Sequence, residues 1–295
     1  MRVKIVRICG GFGNQLFQYA FFLAVKNKFN ETVKLDAFDM EDYALHNGFE
    51  LERIFNLNAD YCSLEEKKQL QGTKNIFTKI MKEIRKYTPF INTSYIKEKK
   101  HHHFSYHSEN FGTPNTDIYY RGPWQSPLYF EHVEHVLRKH LVFPAFTAQK
   151  SIDLVETIKD QETVAIHIRR GDYLKHKALG GICDLPYYNN AIKEMSTLID
   201  NPTYVIFSDD IAWCKDNINV DNARFVDWNT GAQSFEDMHL MSLCKHNIIA
   251  NSSFSWWGAW LNANPDKKVI APNKWIHYTN ALGILPKEWI KVSTQ

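Results

Sequence analysis

Short apolar runs alternate with helical segments along the second half of this 295-residue chain. The apolar runs predict strands at residues 164–168, 204–207, 224–226, 247–250 and 268–270. Helical patterns over 187–199 and 235–245, and a further helix beginning near Ser253, lie between these strands. Alternation of this kind is typical of a parallel sheet covered by helices, so we predict an α/β fold.

The first half opens with a strand–helix–strand pattern. The run Val3–Ile8 predicts a strand, Asn14–Phe29 a helix and residues 33–36 a second strand. Between Phe38 and about Lys100 the pattern becomes irregular, which we interpret as an insertion.

A strand and a helix are predicted again after this insertion. Ile118–Arg121 is strand-like, and residues 126–140 predict a helix with Ser126 as its cap and Pro127 at its first position.

Length and composition fit two globular domains. The halves meet near residues 144–152, so we predict domains at 1–148 and 149–295 with a cleft between them. A formal net charge of +2 without a basic tail argues against a nucleic-acid partner. Five cysteines without a C-x-x-C pair favour reduced thiols and a cytoplasmic location. No apolar run approaches the roughly 18 residues of a membrane span, so any membrane association is expected to be peripheral, at the inner face.

The motif HIRRGDY, residues 167–173, follows a buried strand. Ligands of open α/β sheets bind beyond the carboxyl ends of the strands, so these side chains arrive where a ligand would lie. Alternation along a strand places His167 and Arg169 on one face and Arg170 on the other. We therefore predict that Arg169 binds a phosphorylated ligand and that Arg170 makes a structural ion pair.

Three more polar motifs join a predicted strand to a helix. The loop Gly10–Gln15 could hold a phosphate or a sugar hydroxyl with its backbone N–H groups, or could be only a packing turn. In Ser208-Asp209-Asp210 we expect one aspartate to cap a helix and the other to contact a base or ribose.

The third motif runs from Asn251 to Trp260. Its serines would lie at a helix N-terminus, which suits an anion. Trp256 and Trp260 share a helical face and predict core packing.

The run His101–His103, with His107 nearby, admits two interpretations, a metal site or a solvated loop. No cysteine or carboxylate spacing completes a ligand set, so we favour the loop and predict no metal site.

Four of these motifs resemble the motif series of the bacterial family-11 glycosyltransferases, the α-1,2-fucosyltransferases. The motifs are GGFGNQLFQYA (10–20), HIRRGDY (167–173), FSDD (207–210) and NSSFSWWGAWLN (251–262). Their order and spacing agree along nearly the whole chain, although Phe12 stands where leucine is usual and residues 38–115 carry no recognised motif. The resemblance implies a GT-B-like fold of two Rossmann-type domains that face a cleft, the N-terminal one on the acceptor side and the C-terminal one binding the donor.

The resemblance also implies an activity: transfer of L-fucose from GDP-β-L-fucose to the 2-hydroxyl of a terminal galactoside, with inversion and without a metal or cofactor. Arg169 would neutralise the diphosphate, and Asn14 would approach the fucose or the β-phosphate. The remaining donor-binding positions would be Gly11, Gly13, Gln15, His167, Asp209, Asp210, Ser252, Ser253 and Phe254.

The general base stays open among Asp172, Asp36 and Asp39. Two other classes of function also stay open: a nucleotide-sugar or glycan-binding protein without transfer activity, and an NAD(P)-dependent oxidoreductase built on the glycine loop.

Overall fold

The computed structural model describes residues 2–40, 47–57, 59–71 and 95–294. The chain forms two compact units, Met1–Leu141 and Val142–Gln295. The sequence placed this boundary at residue 148. The segment 142–148 goes with the second unit because Thr147 donates two hydrogen bonds to Glu236, from N at 3.0 Å and from Oγ1 at 2.5 Å.

The first unit has a four-stranded parallel sheet in the order β2-β1-β4-β3. Its elements are β1 (Val3–Arg7), α1 (Phe12–Phe29), β2 (Thr32–Asp36), α2 (Leu51–Phe55), α3 (Leu64–Gln71), β3 (Tyr95–Lys97), β4 (Ile118–Arg121) and α4 (Glu134–His140). Helix α1 is buried all round over most of its length, which explains its continuous apolar sequence. It begins at Phe12, so Gly13, Asn14 and Gln15 belong to its first turn.

The helix predicted over 126–140 is wrong over its first half. Two short 3₁₀ turns, Pro127–Tyr129 and Glu131–Val133, precede α4, and Ser126 makes no side-chain cap. Tyr129 and Phe130 are both fully buried against α1. Two adjacent residues cannot share one face of an α-helix, so the backbone tightens to bury both rings.

The second unit has a six-stranded parallel sheet in the order β10-β9-β8-β5-β6-β7. Its elements are α5 (Gln149–Ile158), β5 (Thr163–Ile168), α6 (Leu185–Leu198), β6 (Thr203–Ser208), α7 (Ile211–Asn217), β7 (Ala223–Val226), α8 (Phe235–Leu243), β8 (His246–Ile248), α9 (Ser253–Leu261), β9 (Val269–Pro272) and β10 (Ile290–Val292).

Strand β5 is central and all six of its residues are buried. Trp256 and Trp260 of α9 are buried in the core, as predicted. Because all six strands run in the same direction, the residues that follow them lie along one edge of the sheet. The predicted α/β class is confirmed.

Candidate functional site

Arg169 follows β5 and lies between two carboxylates. Its Nη2 donates to Asp172 Oδ1 at 2.6 Å, and its Nη1 lies 3.1 Å from Asp209 Oδ2. The ring of Tyr173 packs against the guanidinium, with the ring centroid 5.5 Å from Cζ. A guanidinium has five N–H donors, and these two contacts leave several of them for a ligand. The side chain is partly exposed at the carboxyl end of the strand, where a ligand of this fold would lie.

Arg170 points to other partners, as the strand alternation predicts. Its Nε lies 3.0 Å from Asp210 Oδ2, and its guanidinium stacks 3.9 Å from the ring centroid of Trp213. Asp210 also caps α7 by accepting from the Trp213 backbone N–H at 3.2 Å. The hydrogen bond from Arg170 lowers the pKa of Asp210 below its ordinary value. The predicted ion pair of Arg170 and the predicted helix cap are both confirmed.

Asp209 contacts both Arg169 and Arg170. Its Oδ1 accepts from the Arg170 backbone N–H at 2.8 Å, while its Oδ2 faces Arg169. A Cβ at Gly171 would lie 2.4 Å from Asp209 Oδ2, so another residue there would displace this carboxylate. Asp209 therefore orients Arg169, and its predicted contact with a base or ribose stays a prediction.

His167 is the residue before the last in β5. It is buried, and its Nδ1 has no hydrogen-bond partner among the described residues. Burial, with a smaller contribution from Arg169, lowers its pKa to about 3, so the ring is neutral at neutral pH. Phe254 packs nearby with a centroid distance of 5.7 Å. A neutral imidazole adds no positive charge for a phosphate but can hydrogen-bond a hydroxyl.

The N-terminus of α9 lies on the same sheet edge, because its preceding strand β8 pairs with β5. Ser252 caps this helix by accepting from the Phe254 backbone N–H at 3.3 Å, and Ser253 is the first helical residue. Asn251 fixes the turn by donating to the carbonyls of Leu179 and Trp275. The first-turn N–H groups of such a helix suit an anion.

Asp237, in the first turn of α8, was not predicted from the sequence. This carboxyl group accepts from Asn229 Nδ2 at 2.8 Å, and burial raises its pKa to about 7. It follows β7 and so belongs to the same edge of the sheet. The role of this position could not be predicted from the sequence, because the loop between β7 and α8 carries no recognisable motif.

The glycine loop lies at the carboxyl end of β1 in the first unit. Gly10 has φ +85°, and a Cβ there would lie 2.9 Å from Asn14 Nδ2. Asn14 Oδ1 accepts from Gln125 Nε2 at 2.7 Å, and the buried Gln15 donates to the carbonyls of Gly10 and Gly48. Gln15 thus supports the loop from inside. Contact of Gly11, Gly13, Asn14 or Gln15 with a donor stays a prediction.

The candidate bases differ in their surroundings. Asp36 is buried and accepts hydrogen bonds from the Tyr119 hydroxyl and the Lys67 ammonium group. Asp39 pairs with Arg7 at 2.7 Å. Asp172, with 56% of its side chain exposed, is the most accessible of the three.

Comparison with known proteins identifies the class of protein. The chain is a glycosyltransferase and belongs to glycosyl transferase family 11, whose model matches residues 3–293. An α-1,2-colitosyltransferase of Escherichia coli is 32% identical over 303 residues, which cover 99% of each protein. The O-antigen biosynthesis glycosyltransferase WbnK of Escherichia coli is 29% identical, covering 97% of this chain and 99% of the relative.

Solved structures share the fold. The fucosyltransferase NodZ from Bradyrhizobium matches with a TM-score of 0.52 at 14% identity, covering 87% of this chain and 91% of NodZ. This similarity confirms the GT-B-like class with two Rossmann-type units. Among the described residues, no helix is both long and apolar enough to cross a membrane.

Proposed function

We propose that this protein is an inverting fucosyltransferase that moves L-fucose from GDP-β-L-fucose to the 2-hydroxyl of a terminal galactoside. One observation carries the proposal: Arg169 is held by Asp172 and Asp209 at the carboxyl end of the central strand, with N–H donors left for a diphosphate. The acceptor galactoside and the 2-hydroxyl rest on family membership.

The chemistry follows from the charge that develops on the leaving group. The bond between the anomeric carbon and the β-phosphate oxygen breaks, the galactoside oxygen bonds to the opposite face, and GDP leaves with an added negative charge. A fixed guanidinium and the first-turn N–H groups of α9 would stabilise that charge without a divalent ion. His167, being neutral, would hydrogen-bond a ribose hydroxyl of the nucleoside.

The transferred proton of the acceptor hydroxyl needs a base. We assign it to Asp172, because its carboxylate is accessible and lies at the same strand end as Arg169. Asp36 is a weaker candidate, since its oxygens already accept from Tyr119 and Lys67 inside the first unit.

A second donor is favoured by the relative that transfers colitose. Colitose is fucose without its 3-hydroxyl, so the two donors differ by one hydrogen-bonding group. A site that hydrogen-bonds this hydroxyl would reject the deoxy sugar strongly, whereas a site with an apolar wall would accept both donors. GDP-fucose and GDP-colitose should therefore be compared in the same assay.

The test measures transfer from each donor to a panel of galactosides, with linkage analysis of the product. Arg169→Ala should lower kcat about 10²- to 10³-fold, which is the effect of removing one hydrogen-bond donor to the transition state in other enzymes. Arg169→Lys keeps the positive charge but lacks the planar set of N–H donors, so its kcat should fall less than that of Arg169→Ala. Arg224→Ala is the control, because it removes an arginine from the exposed surface of β7.

Full activity of Arg169→Ala would disprove its assigned role. GDP binding by calorimetry, without transfer or donor hydrolysis on any acceptor, would support the binding-protein alternative. The match of nearly the whole chain to a glycosyltransferase family argues against the oxidoreductase alternative.

A further inference from the structure

The connection between β3 and β4 brings two histidines and a glutamate together. The 3₁₀ turns Lys100–His102 and Ser108–Phe111 place one ligand atom each of His102, His107 and Glu109 within 4.8 Å of one another. The sequence predicts a solvated loop here, because no cysteine or carboxylate spacing completes a ligand set. The structure adds two observations: the carboxylate of Glu109 lies close to the two histidines, and His102 is buried.

The backbone that carries these three side chains is fixed. The His107 backbone N–H and the Asn110 side-chain amide both donate to the hydroxyl of buried Tyr129, at 3.2 and 2.7 Å. Phe111 stacks on Phe21 of α1 with a centroid distance of 5.4 Å. The ligand atoms are thus presented by a loop that is already ordered by other contacts.

We propose that His102, His107 and Glu109 form a zinc-binding site. Two imidazole nitrogens and one carboxylate oxygen are a ligand set that Zn²⁺ takes in proteins, with a water completing the tetrahedron. In the part of the chain that is described, the buried Nδ1 of His102 lacks a hydrogen-bond partner. A buried nitrogen without a partner costs free energy and often marks a place for an ion or water.

The three ligands differ in mobility, which matters for how the ion would bind. The rings of His102 and His107 are stacked, with centroids 3.6 Å apart and an angle of 11° between planes. Both lone pairs can point at one ion only after one ring rotates. His107 and Glu109 have side chains that are 28% and 65% exposed, so they can turn toward the ion while buried His102 stays in place.

The turn that carries Glu109 packs at the C-terminal end of α1. Lys28, in the last turn of α1, lies 5.0 Å over the ring of Phe111. The glycine loop precedes the first turn of the same helix, which is about 27 Å long. Zinc here would hold together the two turns that precede β4, and Phe111 of the second turn lies at the end of α1 opposite the glycine loop.

The experiment is a zinc titration of metal-free full-length protein without a polyhistidine tag, in competition with a chromophoric chelator. Wild-type protein should bind one zinc per chain. His102→Gln and Glu109→Gln should each weaken binding at least about tenfold, the lower end of what metal-site substitutions cause. The matched control is His101→Gln, an exposed histidine of the same run that is outside the ligand set.

Two further readouts guard against misfolding of the His102 variant. Zinc should raise the Tm of wild-type protein and, at the same concentration, raise that of Glu109→Gln, an exposed substitution, clearly less. X-ray absorption of the wild-type complex should show nitrogen and oxygen neighbours at about 2.0–2.2 Å. The proposal fails if zinc does not bind, if the absorption spectrum shows sulfur ligands, or if His101→Gln weakens binding as much as His102→Gln.

Discussion

The positive and negative charges at the end of β5 are nearly balanced, and this balance affects how Arg169 can bind a diphosphate. Arg169 and Arg170 face the carboxylates of Asp172, Asp209 and Asp210, while His167 is neutral. A bound diphosphate would therefore compete with Asp172, the more exposed partner, for the guanidinium. Displacing Asp172 from Arg169 would free its carboxylate at the moment the donor is in place.

Substitution of His167 should separate nucleoside binding from charge stabilisation. His167→Phe keeps an aromatic ring but loses the ring nitrogens. We expect this change to raise the Kd for GDP by up to about tenfold, which corresponds to the loss of one hydrogen bond. Calorimetry with GDP measures this change. His246→Gln is the control, because this buried histidine bonds Glu162 at the amino end of β8. An unchanged Kd in His167→Phe would remove His167 from the nucleoside site.

The turn before α9 combines a structural and a binding role. Ser252→Ala should cost about 1 kcal/mol of unfolding free energy through loss of the cap. Ser252→Asp should restore the cap but place a negative charge where the diphosphate is expected, so stability recovers while GDP affinity falls below that of Ser252→Ala. Chemical denaturation and calorimetry on the two variants distinguish these effects. Equal GDP affinity in Ser252→Asp and wild type would place the diphosphate elsewhere.

Elements that alternate regularly were predictable from the sequence. The strands of the second unit were found because parallel strands are buried on both faces and appear as continuous apolar runs, as in β5. The helix predicted over 126–140 was wrong over its first half because the adjacent rings of Tyr129 and Phe130 both needed burial. Strand β10, three residues long, gave too short a signal.

Within the candidate site, the local partners were predictable and the distant ones were not. The opposite directions of Arg169 and Arg170 follow from strand alternation, and the cap by Asp210 follows from its place before a helix. The contact of Asp209 with the Arg170 backbone depends on the pairing of β5 with β6, which sequence spacing does not specify. The ligand set of His102, His107 and Glu109 depends on two 3₁₀ turns that no periodicity indicates.

At the scale of the whole molecule, buried titratable groups set the dependence of stability on pH. Burial raises the pKa of Glu98 to about 8 and that of Asp237 to about 7. Their unfolded forms lose the proton at much lower pH, so stability falls as pH rises toward these values. Burial lowers the pKa of His167 to about 3 and that of His239 to about 4, so stability falls as pH drops below about 6.5. Between about pH 4.5 and 6.5 the contributions of the two acids and the two histidines offset each other, so we expect stability to be nearly constant there and to fall at higher and lower pH.

Glu98 is the group to test, because it acts alone among these four between pH 7 and 8. Its Oε2 accepts from the backbone N–H of Trp124 at 3.1 Å, and Trp124 has φ +52°. Glu98→Gln keeps the acceptor and cannot ionise. Denaturation curves should show wild-type protein losing stability from pH 7 to 8 and Glu98→Gln losing much less. Glu131→Gln, the same change at an exposed position, should follow wild type. Parallel curves for Glu98→Gln and wild type would contradict the raised pKa.

The pairing of β5 affects how the chain is made. β5 pairs with β6 on one side and with β8 on the other, so Val164 meets His246 only after most of the second unit has been synthesised. At about 5–20 residues per second, one edge of this apolar strand stays open for several seconds on the ribosome. An open edge of this kind is a template for pairing with other chains until β8 has been made.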